Sequence, residues 1–205
     1  MLPVARAATL GLDTTCTFVT CTGGPAGSPA SLGWEFTVTS PTWVNGLAFY
    51  DSNSADTRSH AVGIYNSSGT LPVSTAITTA DPQVGSWLVQ AVTPIQLADG
   101  TYDIMAVTGS AVAGEDYYAW DPTLTSTIFT TTGSITSVEA ASYSSTASSL
   151  TFPDTFNPVI QGFFGPSFTI GSTDDYPVAP EPASFLLLGS GLLLAAGLRR
   201  YRHAR

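Results

Sequence analysis

Apolar and polar side chains alternate with period two over much of the chain. In "LGWEFTV" (32–38), Trp34, Phe36 and Val38 fall on one side and Gly33, Glu35 and Thr37 on the other, the spacing of a strand with one buried face. "TWVNGLAFYD", "HAVGIYN", "TLPVSTAI", "SWLVQAV" and "GTYDIMAVTG" follow, separated by Asp-Ser-Asn, Ser-Ser-Gly, Asp-Pro and Ala-Asp-Gly turn signals. Strands at such short intervals, with no helical period between them, predict an all-β fold, an antiparallel β-sandwich or jelly roll, over residues 11–170. Pro72 and Pro94 suit strand starts or edges, because proline cannot donate to a ladder. After Trp120 the pattern weakens, and "TSTIFTTTGSITSVEAASYSSTASSL" has room for one or two further strands. "NPVIQGFFGPSFTI" reads as a closing strand with a turn at Gly165-Pro166.

The period changes near the end. From Ala183 to Leu198 only Ser184 and Ser190 are polar, and as a helix this run rises about 24 Å. A bilayer core is about 30 Å thick, so the span is short and needs interfacial help. Arg199, Arg200, Arg202 and Arg205 supply it by snorkelling into headgroups. They also orient the transmembrane helix 183–198 with its C-terminus in the cytoplasm and the body outside. Pro180 and Pro182 mark its outer entrance, and the polar segment 171–179 tethers it to the body.

Charge sharpens this division. Only 10% of residues are charged and lysine is absent, while aromatic residues reach 11%, a mixture that suits an extracellular β domain. All 15 acidic residues precede the apolar run, where only Arg6 and Arg58 oppose them. Phosphate binding needs basic residues on the contacting face, so nucleic acid is excluded as a partner.

Pro180-Glu181-Pro182, the Leu/Gly/Ala helix and the Arg199-Arg200-Tyr201-Arg202 cluster, in that order, closely resemble the PEP-CTERM sorting signal of Gram-negative bacteria. The resemblance covers about 25 residues. It implies export, transient retention in the inner membrane, and recognition of Pro180, Glu181 and Pro182 by an exosortase, a membrane-embedded protease or transpeptidase. On that analogy this chain is the substrate, and its destination is the cell surface or an exopolysaccharide matrix. Residues 1–10 lack the apolar core of a signal peptide, but Ala5-Arg6-Ala7 has the form of a cleavage site; a start inside a longer precursor accounts for both.

Outside the cytoplasm, the pair Cys16 and Cys21 in "CTFVTC" is expected to close a small disulfide loop. "DSNSAD" presents Asp51, Asn53 and Asp56 as oxygen ligands for calcium, although it lacks the Gly and twelfth-position Glu of an EF-hand, and Asx-turns produce the same pattern. Tyr117, Tyr118 and Trp120, after the Gly114-Glu115-Asp116 turn, are candidates for stacking on sugars. Trp34 and Trp87 lie in strand patterns and are expected in the core.

A second resemblance lies in "GWEFTVTSPTWVNGLAFYDSN", "SHAVGIYNSSGTLPVSTAI" and "VTPIQLADGTYDIMA". These segments, within residues 33–120, are similar to a family of unknown function found in bacterial surface proteins. That implies a β-sandwich and no particular activity.

Catalysis is not expected. A Ser-His-Asp site would have to use His60, because His203 belongs to the tail and no Gly-x-Ser-x-Gly elbow is present. Glu115-Asp116 and Asp174-Asp175 are adjacent in sequence, and neighbours on a strand point to opposite faces. The expectation is a non-enzymatic surface or matrix protein without a cofactor. A carbohydrate-binding module is the first alternative, and a secreted hydrolase the second.

Overall fold

The computed structural model describes residues 9–14, 22–23, 30–51, 58–108, 119–120, 129–144, 148–157 and 163–171. Within them the strands are β1 (Thr9–Leu10), β2 (Leu12–Thr14), β3 (Thr22–Gly23), β4 (Ala30–Val38), β5 (Thr42–Tyr50), β6 (His60–Asn66), β7 (Val73–Ile77), β8 (Gln83–Val84), β9 (Trp87–Leu97), β10 (Gly100–Thr108), β11 (Ala119–Trp120), β12 (Phe129–Thr131), β13 (Ile135–Ser144), β14 (Thr155–Asn157) and β15 (Pro166–Ile170). One sheet has the order β1-β15-β5-β9-β8 and the other β14-β13-β4-β10-β6-β7; β11-β3 and β12-β2 form two small pairs. Every pairing is antiparallel. The fold is all-β, as the alternating pattern predicts.

Register carries the alternation from strand to strand. Trp34 of β4 faces Ile104 of β10, Ile104 faces Ile64 of β6, and Ile64 faces Val73 of β7. Directly opposed side chains share a face, so these four form one apolar row across the six-stranded sheet. Trp34, Phe36, Ile64 and Ile104 are fully buried. The five-stranded sheet answers with Phe49 and Phe168: Phe168 lies 4.9 Å from Phe36 and 6.2 Å from Trp34 between ring centroids. One hydrophobic cluster thus takes residues from both sheets, consistent with a β-sandwich. The Trp34 indole also donates a 2.8 Å hydrogen bond to the Pro166 carbonyl on β15, so a polar bond crosses the apolar layer.

Turn chemistry follows the Gly and Asn positions. In the β6–β7 connection, Asn66 Oδ1 accepts from the amides of Ser68 (3.1 Å) and Thr70 (2.9 Å), and Gly69 takes φ +78°, an Asx-turn closed by a residue without Cβ. Pro94 lies inside β9, not at its start. Gly46 pairs with Ala91 and Val44 with Ile95, so Asn45 alone faces Val92, Thr93 and Pro94. The proline therefore occupies a bulge, where no ladder bond is required of it. The weak region after Trp120 supplies two strands, β12 and β13, around Gly133 at φ +67°.

The outer face of the six-stranded sheet is covered as well. Ser31 Oγ donates to the Thr151 carbonyl (3.3 Å), and Phe152 packs edge-on against Tyr65, with centroids 5.7 Å apart. Met105 is fully buried beneath this segment's side of the sheet. Among the described residues no helix is long and apolar enough to cross a membrane. Residues 183–198, where a transmembrane helix is expected, lie outside the described residues.

Candidate functional site

Strand β5 is buried almost throughout, from Val44 to Tyr50, because the outer face of its sheet carries a flap made by β2 and β12. Three bonds attach the flap. Ser167 Oγ donates to the Leu12 carbonyl (2.6 Å), the Trp87 indole donates to Asp13 Oδ1 (2.8 Å), and the Gly11 amide donates to the Phe168 carbonyl (2.8 Å). Gly11 allows the approach: a Cβ there would stand 2.6 Å from Cζ of Phe168. Within the flap, Asp13 is directly opposite Thr130.

Between the flap and the β8–β9 turn lies a cavity of about 400 Å³, lined by Leu10, Asp13, Val84, Gly85, Ser86, Trp87, Thr130 and Thr132. Among the described residues its polar groups are one carboxylate and three hydroxyls, and no basic side chain lines it. Trp87 is 1% exposed, so its ring face is committed to the protein, edge-on to Tyr50 at 5.1 Å. The wall is built from strand ends and a turn in which Gly85 takes φ +61°. A Cβ at Gly85 would meet no atom within 4 Å, which leaves that side of the cavity open. These groups can donate and accept hydrogen bonds to a neutral ligand; they offer nothing to neutralise an anion.

Asp51 of the calcium-candidate loop adjoins this wall. It is 3% exposed; its amide donates to the Ser86 carbonyl (2.8 Å) and its carbonyl accepts from Gln83 Nε2 (3.2 Å). Asn53 and Asp56 lie outside the described residues, as do Cys16, Cys21, Tyr117, Tyr118, Pro180, Glu181, Pro182, Arg199, Arg200, Arg202 and Arg205. The backbone of Trp120 is described, in β11 opposite Thr22. Among the described residues no group of three or more His, Cys, Asp or Glu is arranged to hold a metal ion.

His60 is a core residue. It is 1% exposed, stacks on Phe49 with centroids 3.8 Å apart and planes 6° apart, and its Nδ1 lies 3.0 Å from the Val107 carbonyl. A carbonyl only accepts, so Nδ1 carries the hydrogen.

A second group escaped the sequence pattern. Register sets Glu35 of β4 opposite Asp103 of β10, which in turn faces Tyr65 of β6. Directly opposed Cβ atoms stand roughly 5 Å apart, so two carboxyls 68 positions apart in sequence become neighbours. Burial raises Glu35 above its ordinary carboxyl range and Tyr65 above its phenol range. Asp103 is 3% exposed, which closes the pair to a substrate. The signal available in sequence was the matching polar position in "GWEFT" and "TYDIM", visible only once the two strands are paired.

Against known proteins, the family model described as "Domain of unknown function (DUF4082)" matches residues 19–159. The matched stretch runs from before β3 to just beyond β14, leaving β1, β2 and β15 outside it. No curated protein and no solved structure matches the chain.

Proposed function

The chain belongs to the DUF4082 family, and from that premise we propose that it is an exported, non-enzymatic protein of the cell surface or extracellular matrix, delivered through an exosortase-recognised C-terminal signal. Its body is a β-sandwich, and its tail holds a transmembrane helix over 183–198. The observation that carries this reading is the order of the tail: Pro180-Glu181-Pro182, sixteen residues with only two serines polar, then Arg199, Arg200, Arg202 and Arg205. The apolar run halts translocation in the inner membrane, the arginines hold its cytoplasmic end, and the Pro-Glu-Pro segment is offered to the partner enzyme at the outer surface. The lysine-free, acidic body that precedes it fits a soluble exterior domain.

The test is fractionation of cells carrying an exosortase and an epitope-tagged full chain. The native sequence should yield a shortened body in the extracellular fraction, whereas Glu181→Ala should remain full-length in the inner membrane. Equal processing of both chains would overturn the sorting role.

The alternative of a carbohydrate-binding module gains support from the polar cavity beside β8 and β9. In this reading the body recognises matrix polysaccharide after release.

A further inference from the structure

We propose that the cavity between the β2–β12 flap and the β8–β9 turn binds one neutral sugar residue. The inference concerns the body alone and does not rest on the sorting signal.

Size comes first. About 400 Å³ falls in the range of small-molecule sites. The lining then selects the chemistry. Ser86, Thr130 and Thr132 each bring a hydroxyl that donates and accepts, Asp13 brings a carboxylate that accepts, and Leu10 and Val84 bring apolar surface. A sugar ring presents the complementary set: hydroxyls of both polarities around a C–H face. An anionic ligand such as a phosphate, a sulfate or a uronate would face Asp13 with no cation among the described lining residues. Neutral glycans are therefore accepted and acidic ones rejected.

The site is also held in position. Asp13 Oδ1 receives the Trp87 indole hydrogen at 2.8 Å, and the Ser86 carbonyl receives the Asp51 amide at 2.8 Å. Thr130 is fixed opposite Asp13 by the β2–β12 ladder. Gly85 leaves the mouth uncovered, since a side chain there would project into open space. Polar groups set at strand ends and in a short turn, and pinned by buried partners, lose little freedom when a ligand arrives.

The experiment is a titration of the purified full chain with the methyl glycosides of glucose, galactose and mannose, with glucuronic acid as the charged comparator. Trp87 fluorescence and saturation-transfer spectra report occupancy. At least one neutral glycoside should bind saturably, and the uronate at least about tenfold more weakly. Thr130→Val should weaken that binding about tenfold, the equivalent of one lost hydrogen bond. Gly85→Asn should weaken it further by filling the mouth, because Asn tolerates the left-handed conformation. Thr132→Val, two residues beyond Thr130 in the same lining, repeats the test should the turn variant fail to fold. Absence of saturable binding by all three glycosides would overturn the proposal. So would equal affinity for the uronate, or native affinity in the folded threonine variants.

Discussion

Trp34→Phe removes an indole that ties the two sheets together with a polar bond while keeping an aromatic ring in the core. Its Nε1–H donates to the Pro166 carbonyl at 2.8 Å, and its ring, fully buried, packs among Phe36, Phe164 and Phe168 at centroid distances of 5.3, 6.1 and 6.2 Å. Phenylalanine leaves the Pro166 carbonyl without that donor, at about 1–3 kcal/mol. It also vacates roughly 40 Å³, worth about 1 kcal/mol at ~24 cal/mol per Å³ of cavity. The expected loss is therefore about 2–4 kcal/mol. In a domain with about 5–15 kcal/mol of stability the variant still folds. Trp34→Ala adds the transfer cost of the ring and approaches the unfolding limit. Urea denaturation followed by far-UV circular dichroism reads the effect as a lower midpoint at unchanged slope. Trp43→Phe, at a half-buried position on β5, is the control and should cost less than about 1 kcal/mol. A Trp34→Phe loss below about 1 kcal/mol, indistinguishable from the control, would refute the inter-sheet tie.

Two further variants probe the six-stranded sheet. Because burial raises the Glu35 carboxyl, the folded chain binds more protons than the unfolded one between the ordinary carboxylate range and the raised value, so stability falls as pH rises through that window. Glu35→Gln should accordingly raise the melting temperature relative to the native chain more at pH 7 than at pH 4; a larger gain at pH 4 would contradict the assignment. Gly33→Ala places a methyl against the Ile104 carbonyl oxygen, 2.8 Å from its carbon and 2.9 Å from Met105 Sδ. Since the obstacle is backbone, the cost should exceed about 3 kcal/mol, read as a collapse of the urea midpoint; native-like stability would show that β4 and β10 lie farther apart than described.

The strands most legible in the sequence are those with one apolar face. β4, β6 and β10 alternate because their inner residues meet the opposite sheet, and β6 occupies the predicted "HAVGIYN". β5 hides its alternation because the β2–β12 flap buries its outer face too. β9 extends past the apolar "SWLVQAV" through Pro94 because a bulge relieves the proline of pairing. β13 has Ile135 followed by a run of small residues in "ITSVEAASYS", and its place beside β4 is set by its partner more than by its own pattern. The cavity was not legible at all. Its wall comes from the segments 10–13, 84–87 and 130–132, and one Asp, one Ser and two Thr scattered over them carry no local signal. Only the flap's attachment to β9 and β15 makes them one surface. For Asp51 the sequence indicated an oxygen-rich loop; the structure adds that its backbone holds the β8–β9 turn.

The position of β15 has a mechanical meaning. It is the last strand among the described residues, and it runs between β1, which it pairs over two residues, and β5, which it pairs over five. During the anchored stage proposed above, before release, any pull on the C-terminal tail would enter the body along this strand. Tension parallel to a strand loads its flanking hydrogen bonds in shear, so they resist together and do not open in succession. Leu10, a cavity residue, sits on β1 directly opposite Thr169, which puts the cavity wall within one ladder step of the line of pull. A body that is strong along that line would pass through the anchored stage without unzipping from its C-terminal end.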